Sequence, residues 1–562
     1  MGFDLLIKGG TVVDGSGAPS YQADVAVSGG KIVEIGRKLA NGGAKRSIDA
    51  DGMVVSPGFI DPHTHYDAQI CWDPEVTPSS WHGITTVVMG NCGVGIAPCK
   101  PQTREVAAWD LVNVEAIPLD ALKKGITWDW VSFPEYMDAA ARRGSALNLG
   151  FLAPLTPFRH YVMGEASMER AATEDETAQV ASLFRQAYDA GAFGFTTTLL
   201  KQHIGYQGRP LASRLASRQE LAAYSHVLRE RGSGVIEVAL TQSPGAITAE
   251  ECDSLDFLLT ESGAKVTWLA LLNRDDAPEA CQDSLRLADP LIRRGGVPQV
   301  TCRPLTVQVN LRSPFIFGDW ACWKPIFNQS VETQKELYGS AQFRDAVRQE
   351  SRNPRIFSAR WERLEIAEVG KPALKALEGR TVGEIAAERG KDLLDTFLDL
   401  AIEDDLAMVF SCALFNANEA RIPELLKDPR TMLGLSDGGA HVDMLCDAGY
   451  ATHFLGRWVR DAKIMSLERG VQRLTSEPAR FFGIEKRGRL APGMAADINV
   501  FDLDKIGCAP RNSKRNDLPG GGRRLVVESF GIRQTIVNGQ VVRDNGSFTG
   551  SMAGQVIRAG SA

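Results

Sequence analysis

The sequence predicts an α/β fold: a (β/α)₈ TIM-type barrel with a composite β-sandwich formed by both chain ends and an insertion between strands 7 and 8. Three observations predict it. Eight short apolar, β-rich runs alternate with helical patterns through the middle of the chain: MVVSPGFID, GITTVVMG, SALNLGFLAP, GAFGFTTTL, GVIEVAL, AKVTWLAL, GVPQVTC and TMLGLSD. Short β-branched runs and Gly-rich turns occupy both ends. The stretch from Arg303 to Thr431, between the last two runs, is too long for a loop.

In order along the chain, DLLIKGGTVVDGSG and ADVAVSGGKIVEIG read as small antiparallel strands and hairpins. The same texture returns in GRLAPGMAADINVFDL and SFGIRQTIVNGQVVRDNG, where Asn538-Gly539 is a hairpin turn signal. Residues 1–57 and 485–562 are therefore assigned to one composite β domain, and 58–484 to the barrel. Helical stretches such as DETAQVASLFRQAYDAG and RQELAAYSHVLRERG precede the apolar runs, and polar or ionisable residues follow each run, as a barrel with its site at the strand C-terminal ends requires. A doubly wound open sheet shares this local pattern. Within the insertion, FNQSVETQKELYGSAQFRDAVRQE and GEIAAERGKDLLDTFLDLAIEDD have helical periodicity. The aromatic-rich SPFIFGDWACWKPIF is expected over the barrel mouth as part of a lid, with insertion and lid elements within about 311–400.

The chain has 562 residues, 44% hydrophobic and 23% charged, the composition of a large globular protein. Its net charge of -7 has the wrong sign for a general nucleic-acid or anionic-membrane surface, so a small-molecule substrate is the expected partner, with a homo-oligomer left open. Apolar runs fall far short of the roughly 20 residues that cross a bilayer. Met1-Gly2-Phe3-Asp4 lacks a basic flank and an apolar leader core, and Leu6 stands where myristoylation wants Ser or Thr, so the cytoplasm is the expected location. Ten cysteines without a CxxC pair read as reduced thiols.

The sharpest chemical signal is Phe59-Ile60-Asp61-Pro62-His63-Thr64-His65. Histidines two apart on a strand face the same way, so both imidazoles can reach one ion, and imidazole suits zinc. The plainer alternative is a pair of histidines that merely hydrogen-bond. At the end of the second run, Cys92 in MGNCG is a candidate third ligand; alternatively it is a buried, inert thiol. The eighth run ends in LSDGGAH, where Asp437 can touch the metal and accept a proton from water. An Asp that caps a helix or holds a Gly turn is the alternative there. His441 is a candidate for a substrate carboxylate or for the metal, and His203 and Glu237 are further metal candidates. A Glu inside an apolar run is costly unless it is paired, so Glu237 serves either the site or a buried salt bridge. Arg303 has the planar fork that suits a substrate carboxylate. His82, His160, His226 and His453 are assigned no role. No P-loop or HExxH is present, which removes nucleotide and metalloprotease readings.

DLLIKGGTVVDGSG, PGFIDPHTHYD, GRLAPGMAADINVFD and TIVNGQVV resemble the amidohydrolase superfamily over nearly the whole chain. GITTVVMGNCG, Arg159 with Val162-Met163-Gly164, GAFGFTTTL and LGLSDGGAH resemble its N-acyl-D-amino-acid deacylase (D-aminoacylase) group, in which a Cys replaces the more usual modified lysine as a metal ligand. The resemblance places His63, His65, Cys92 and Asp437 on metal and catalytic positions. It implies Zn²⁺, as one or two ions, and Arg159 among the substrate contacts. The group carries metal-binding histidines after the fifth and sixth strands, whereas this chain has VALTQS and WLALLN there. The Asp437-to-His441 spacing resembles dihydroorotase-like relatives, in which the His holds a substrate carboxylate. The expected function is hydrolysis of the amide bond of N-acyl-amino acids, the D series first, with Asp437 as general base. Hydrolysis of a cyclic amide, lactone or urea stays open, as does a metal-free barrel acting as a binding or assembly module.

Overall fold

A computed structural model describes residues 2–39, 43–243, 245–318, 320–327, 329–352 and 357–560. Each of the eight apolar runs contains a strand. The first run splits in two: Val54–Pro57 pairs antiparallel with Ile498–Phe501, while Phe59–Thr64 pairs parallel with Ile84–Met89. Gly58 is the corner between them, where a Cβ would fall 2.1 Å from Thr85 Oγ1.

Parallel pairing continues from Ile84–Met89 to Asn148–Phe151. A second parallel sheet runs Ala153–Pro154, Gly194–Thr198, Val235–Ala239, Lys265–Leu269, Gly296–Val300 and Met432–Leu433. The first and last strands meet beyond their ends, where Thr64 bridges Gly438 in parallel. There the His65 N–H donates to the Gly438 carbonyl at 2.7 Å, and Ser436 Oγ donates to the His63 carbonyl at 3.1 Å. Strand C-terminal ends therefore converge on one region. Helices such as Glu174–Asp189, Arg218–Arg231 and Ala249–Ser262 each open with a Thr or Ser capping box and bury an apolar face against the strands.

Both chain ends join one nine-stranded sheet, in which Leu5–Val12 lies beside Val54–Pro57 and Ile498–Phe501 beside Ile532–Val537. Ile7, Val25, Val27, Ile498, Val500 and Ile536 are buried in its shared core. Asn538 and Gly539, at φ +47° and +81°, make the hairpin turn between Ile532–Val537 and Gln540–Asp544. The last strand of the chain, Val556–Ile557, pairs parallel with Leu149 and Gly150. Beside it, the Leu149 N–H donates to the Gln555 carbonyl at 2.9 Å, and the Ala559 N–H to the Gly191 carbonyl at 2.8 Å. Among the described residues, no helix is long and apolar enough to cross a membrane.

The long stretch before Thr431 is a folded unit that extends past 311–400 on both sides. Its antiparallel sheet pairs Leu305–Asn310 and Glu365–Glu368 with Val409–Phe415. The aromatic segment contributes to the core of this unit: Phe317, Trp320 and Trp323 are fully buried, and Phe317 stacks on Trp323 with ring centroids 4.0 Å apart. Phe317→Ala is expected to destabilise the insertion by about 3–5 kcal/mol, measurable by urea unfolding followed through tryptophan fluorescence.

Candidate metal centre

His63 stands near the end of Phe59–Thr64 and His65 just beyond it, and both are buried. The intervening Thr64 points the other way and donates to the Val88 carbonyl at 2.9 Å. The two Nε2 atoms lie 3.3 Å apart. Cys92 Sγ is 3.6 Å from His63 Nε2, and ligand atoms of His63, His65 and Cys92 all fall within 4.8 Å of one another. Asp437 Oδ1 comes to 3.2 Å from His63 Nε2 and 3.7 Å from His65 Nε2.

Backbone conformation delivers these groups. Cys92 sits at φ +57°, between Gly90 and Gly93, which also have positive φ. A Cβ at Gly90 would fall 2.2 Å from the Leu152 carbonyl oxygen, so only glycine lets this turn lie against the neighbouring strand. Asp437 is at φ +47°, and a Cβ on Gly439 would meet the His65 carbonyl oxygen at 2.7 Å. The SDGG turn thus packs directly on the HxH segment. Non-glycine residues at positive φ cost energy that function commonly justifies.

Charge in the site is one-sided. Asp61, Glu115, Glu237 and Asp437 surround the histidines, and among the described residues the ion pairs of Asp437 and Glu115 are with histidines alone. Burial pushes the carboxyls of Asp61, Glu115 and Glu237 up to about 7. Burial also acts on Asp437, but its hydrogen bonds and attraction to His63 and His65 hold it well below the usual carboxylate range. Burial disfavours a charged His63, yet the Asp437 carboxylate, with help from Glu237 and Asp61, keeps it up at about 9. Burial and the charges of Glu237, Glu115 and Asp437 push the Cys92 thiol well above its ordinary value.

These residues fit a metal ion. Tetrahedral donors at zinc bond lengths of about 2.0–2.3 Å stand roughly 3.3–3.6 Å from one another, the spacing of His63 Nε2 from His65 Nε2 and from Cys92 Sγ. Glu237 Oε1 is buried beside these donors without a hydrogen-bond partner, which a merely hydrogen-bonded histidine pair does not account for. A cation would also relieve the crowded carboxylates and stabilise a thiolate.

The other expected site residues do not join the metal-donor group. Glu237, fully buried, makes no salt bridge among the described residues; its Oε2 accepts the Cys92 N–H at 2.7 Å. His441 lies beside Glu115, with Nε2 4.0 Å from Oε2, and does not join the metal-donor group. His203 does not join it either. Its loop folds back so that its carbonyl accepts from Leu211 and Arg214, and burial, with the nearby His441 and His65, holds its imidazole down at about 3. Arg303 is buried against Asp447, 3.3 Å away. Arg159 is a correction: its guanidinium is fully buried, ion-paired with Glu220, and donates to the Arg170 carbonyl at 2.8 Å. It joins helices Leu155–Met163 and Arg218–Arg231 instead of facing a substrate.

Glu115, last residue of the helix Arg104–Glu115, was not singled out from the sequence. Its signal was there: it follows Ala108 and Leu111 on the buried helix face and puts a carboxylate in a last turn, where the helix dipole disfavours one.

A profile of the amidohydrolase family matches residues 46–255 and 363–543. The chain belongs to the amidohydrolase family. This amidohydrolase is 28% identical to D-aminoacylase of Alcaligenes xylosoxydans xylosoxydans, over 99% of this chain and 97% of that protein. It is 29% identical to N-acyl-D-aspartate deacylase of the same organism, over 100% and 96%. The crystal structure of a D-aminoacylase superposes with a TM-score of 0.68 at 26% identity, covering 99% of this chain and 100% of that one. N-acyl-D-glutamate deacylase from Bordetella bronchiseptica, complexed with zinc and a phosphonate inhibitor, superposes with a TM-score of 0.65 at 25% identity over 100% of both chains. The amidohydrolase is thus of the D-aminoacylase-like group, a hydrolase of amide carbon–nitrogen bonds other than peptide bonds, on a TIM-barrel-type α/β fold with an additional domain.

Proposed function

We propose that this amidohydrolase cleaves N-acyl-D-amino acids, using one divalent ion, zinc first, held by His63, His65 and Cys92, with Asp437 as further donor and general base. The observation that carries the reading is the convergence of those four side chains at metal-ligand spacing. A single ion follows from the donor inventory. Where the group carries histidines after the fifth and sixth strands, Leu240-Thr241 and Leu271-Leu272 stand, and among the described residues no other group of three donors converges. The strands are read as one closed eight-stave barrel, residues 58–484, with 1–57 and 485–562 as the terminal domain.

A divalent ion in this site supplies Lewis acidity, which polarises an amide carbonyl and lowers the pKa of water from about 15.7 towards 7. Asp437 stays ionised beside the two imidazoles, so one of its oxygens can take the proton of the attacking water and return it to the departing nitrogen. Asp437 is the most exposed of the four groups, at 21%, and a crevice lined by Gln69, Pro78, Ala440, Asp447 and Arg524 opens beside it. The C-terminal ends of the strands thus leave the base the most open of the four groups while keeping the imidazoles and thiol out of water. Arg303 and His441 are the residues assigned to a substrate carboxylate. Relatives named for D-aspartate and D-glutamate substrates support an acidic amino-acid moiety.

The test is a panel of N-acyl-D- and N-acyl-L-amino acids assayed after metal reconstitution, with metal analysis of the same samples. The D series, acidic members fastest, and one ion per chain are expected. Turnover confined to the L series, or a protein that retains no ion, would sink the reading.

A further inference from the structure

We propose that Glu115 is a positioning residue of the metal centre, orienting His65 and tying that imidazole to the turn that carries Asp437. The proposal rests on the reading of His63, His65 and Cys92 as metal ligands. Glu115 Oε1 faces His65 Nδ1 at 3.3 Å, on the side of the ring opposite the Nε2 that points into the donor group. A carboxylate there favours the tautomer with its proton on Nδ1 and leaves Nε2 with a free lone pair for an ion. Carboxylate partners behind a ligating histidine fix ring orientation and raise its basicity. Glu115 makes a second connection through its backbone: its carbonyl accepts the His441 N–H at 2.5 Å. One residue thereby spans the HxH segment and the Asp437–His441 turn.

A purely structural role does not explain the side chain. Glu115 is 2% exposed, ends a helix where the dipole disfavours an acid, and has no lysine or arginine partner among the described residues. Burying a carboxylate this way costs the fold, and an apolar residue of similar size suits the position better. Such a cost, set directly behind a donor atom, points to the donor.

The experiment measures zinc affinity by chelator competition, the visible absorption of the Co²⁺-substituted protein, and thermal unfolding of the metal-free protein. It compares wild type, Glu115→Gln, Glu115→Leu and Cys92→Ser. Zinc binding is expected to weaken about 10-fold in Glu115→Gln, whose amide oxygen still accepts from Nδ1–H, and about 100-fold in Glu115→Leu. The Co²⁺ spectrum of Glu115→Leu should change, while its metal-free melting temperature should equal or exceed that of wild type. Affinity in both Glu115 variants within about threefold of wild type, or a loss matched by a lower metal-free melting temperature, overturns the proposal. If Glu115→Leu does not fold, Glu115→Gln is judged by the same criteria. Wild-type affinity in Cys92→Ser places the ion elsewhere and overturns the metal-site reading itself, which separates the two failures.

Discussion

Turnover by the Asp437→Asn protein is expected to fall by about 10²–10⁴, the range that a positioned general acid–base group contributes. Asn keeps the shape and one oxygen donor but cannot accept the proton of attacking water. His63, His65 and Cys92 remain in place, so bound metal should stay near the wild-type level and the melting temperature should change little. The SDGG turn holds residue 437 at φ +47°, a conformation Asn tolerates at least as well as Asp, so a loss of activity cannot be assigned to the turn. Measured kcat on the best substrate of the panel, with metal content on the same sample, decides the matter. An Asp437→Asn enzyme with undiminished kcat would remove Asp437 as the base.

Cys92→Ser should act on the metal instead. Losing a partner that merely supports a ligand costs about 10–100-fold in affinity, so losing the sulfur ligand is expected to cost more than about 100-fold. Activity would then return only at high added metal. The substitution keeps side-chain size and places no new atom beside Leu152 or Glu237, and the backbone N–H that donates to Glu237 Oε2 is untouched. Chelator competition and metal analysis after dialysis measure the effect. A Cys92→Ser protein that retains its ion through dialysis would show that the thiol is a bystander.

Much of this was legible in the sequence because it was local. HxH on a strand, a Cys between glycines and SDGG at a run's end are short patterns whose geometry follows from strand periodicity and from the glycine requirement. Gly58, within the first run, was harder to read: both halves of MVVSPGFID are β-rich, and only their different partners, Ile498–Phe501 and Ile84–Met89, show that the chain changes sheet there. For the aromatic insertion segment, composition reports that rings will be covered, but not by what; Phe317 is covered by Trp323, Phe357, Trp361 and Phe397. Arg159 carried a chemistry-capable side chain whose partner, Glu220, is set by a tertiary contact, and His203 lies in a loop folded back through its own backbone carbonyl. Glu115 failed to stand out for the opposite reason. It looks like any helix-terminal acid until His65, fifty residues earlier in the chain, is brought against it.

The short strand at Val556–Ile557 lies beyond the segment matched by the family profile, yet it supplies hydrogen-bond partners to Asn148–Phe151. That inner strand pairs with Ile84–Met89 on one side but acquires its other neighbour only once Val556–Ile557 has been synthesised, and until then that edge faces water or a chaperone. A purification tag fused directly after residue 557 would crowd the seam, whereas a spacer beyond residue 560 would leave it free. Deleting residues 555–562 should yield a protein that is translated in full measure but turned over by proteases far faster than its parent.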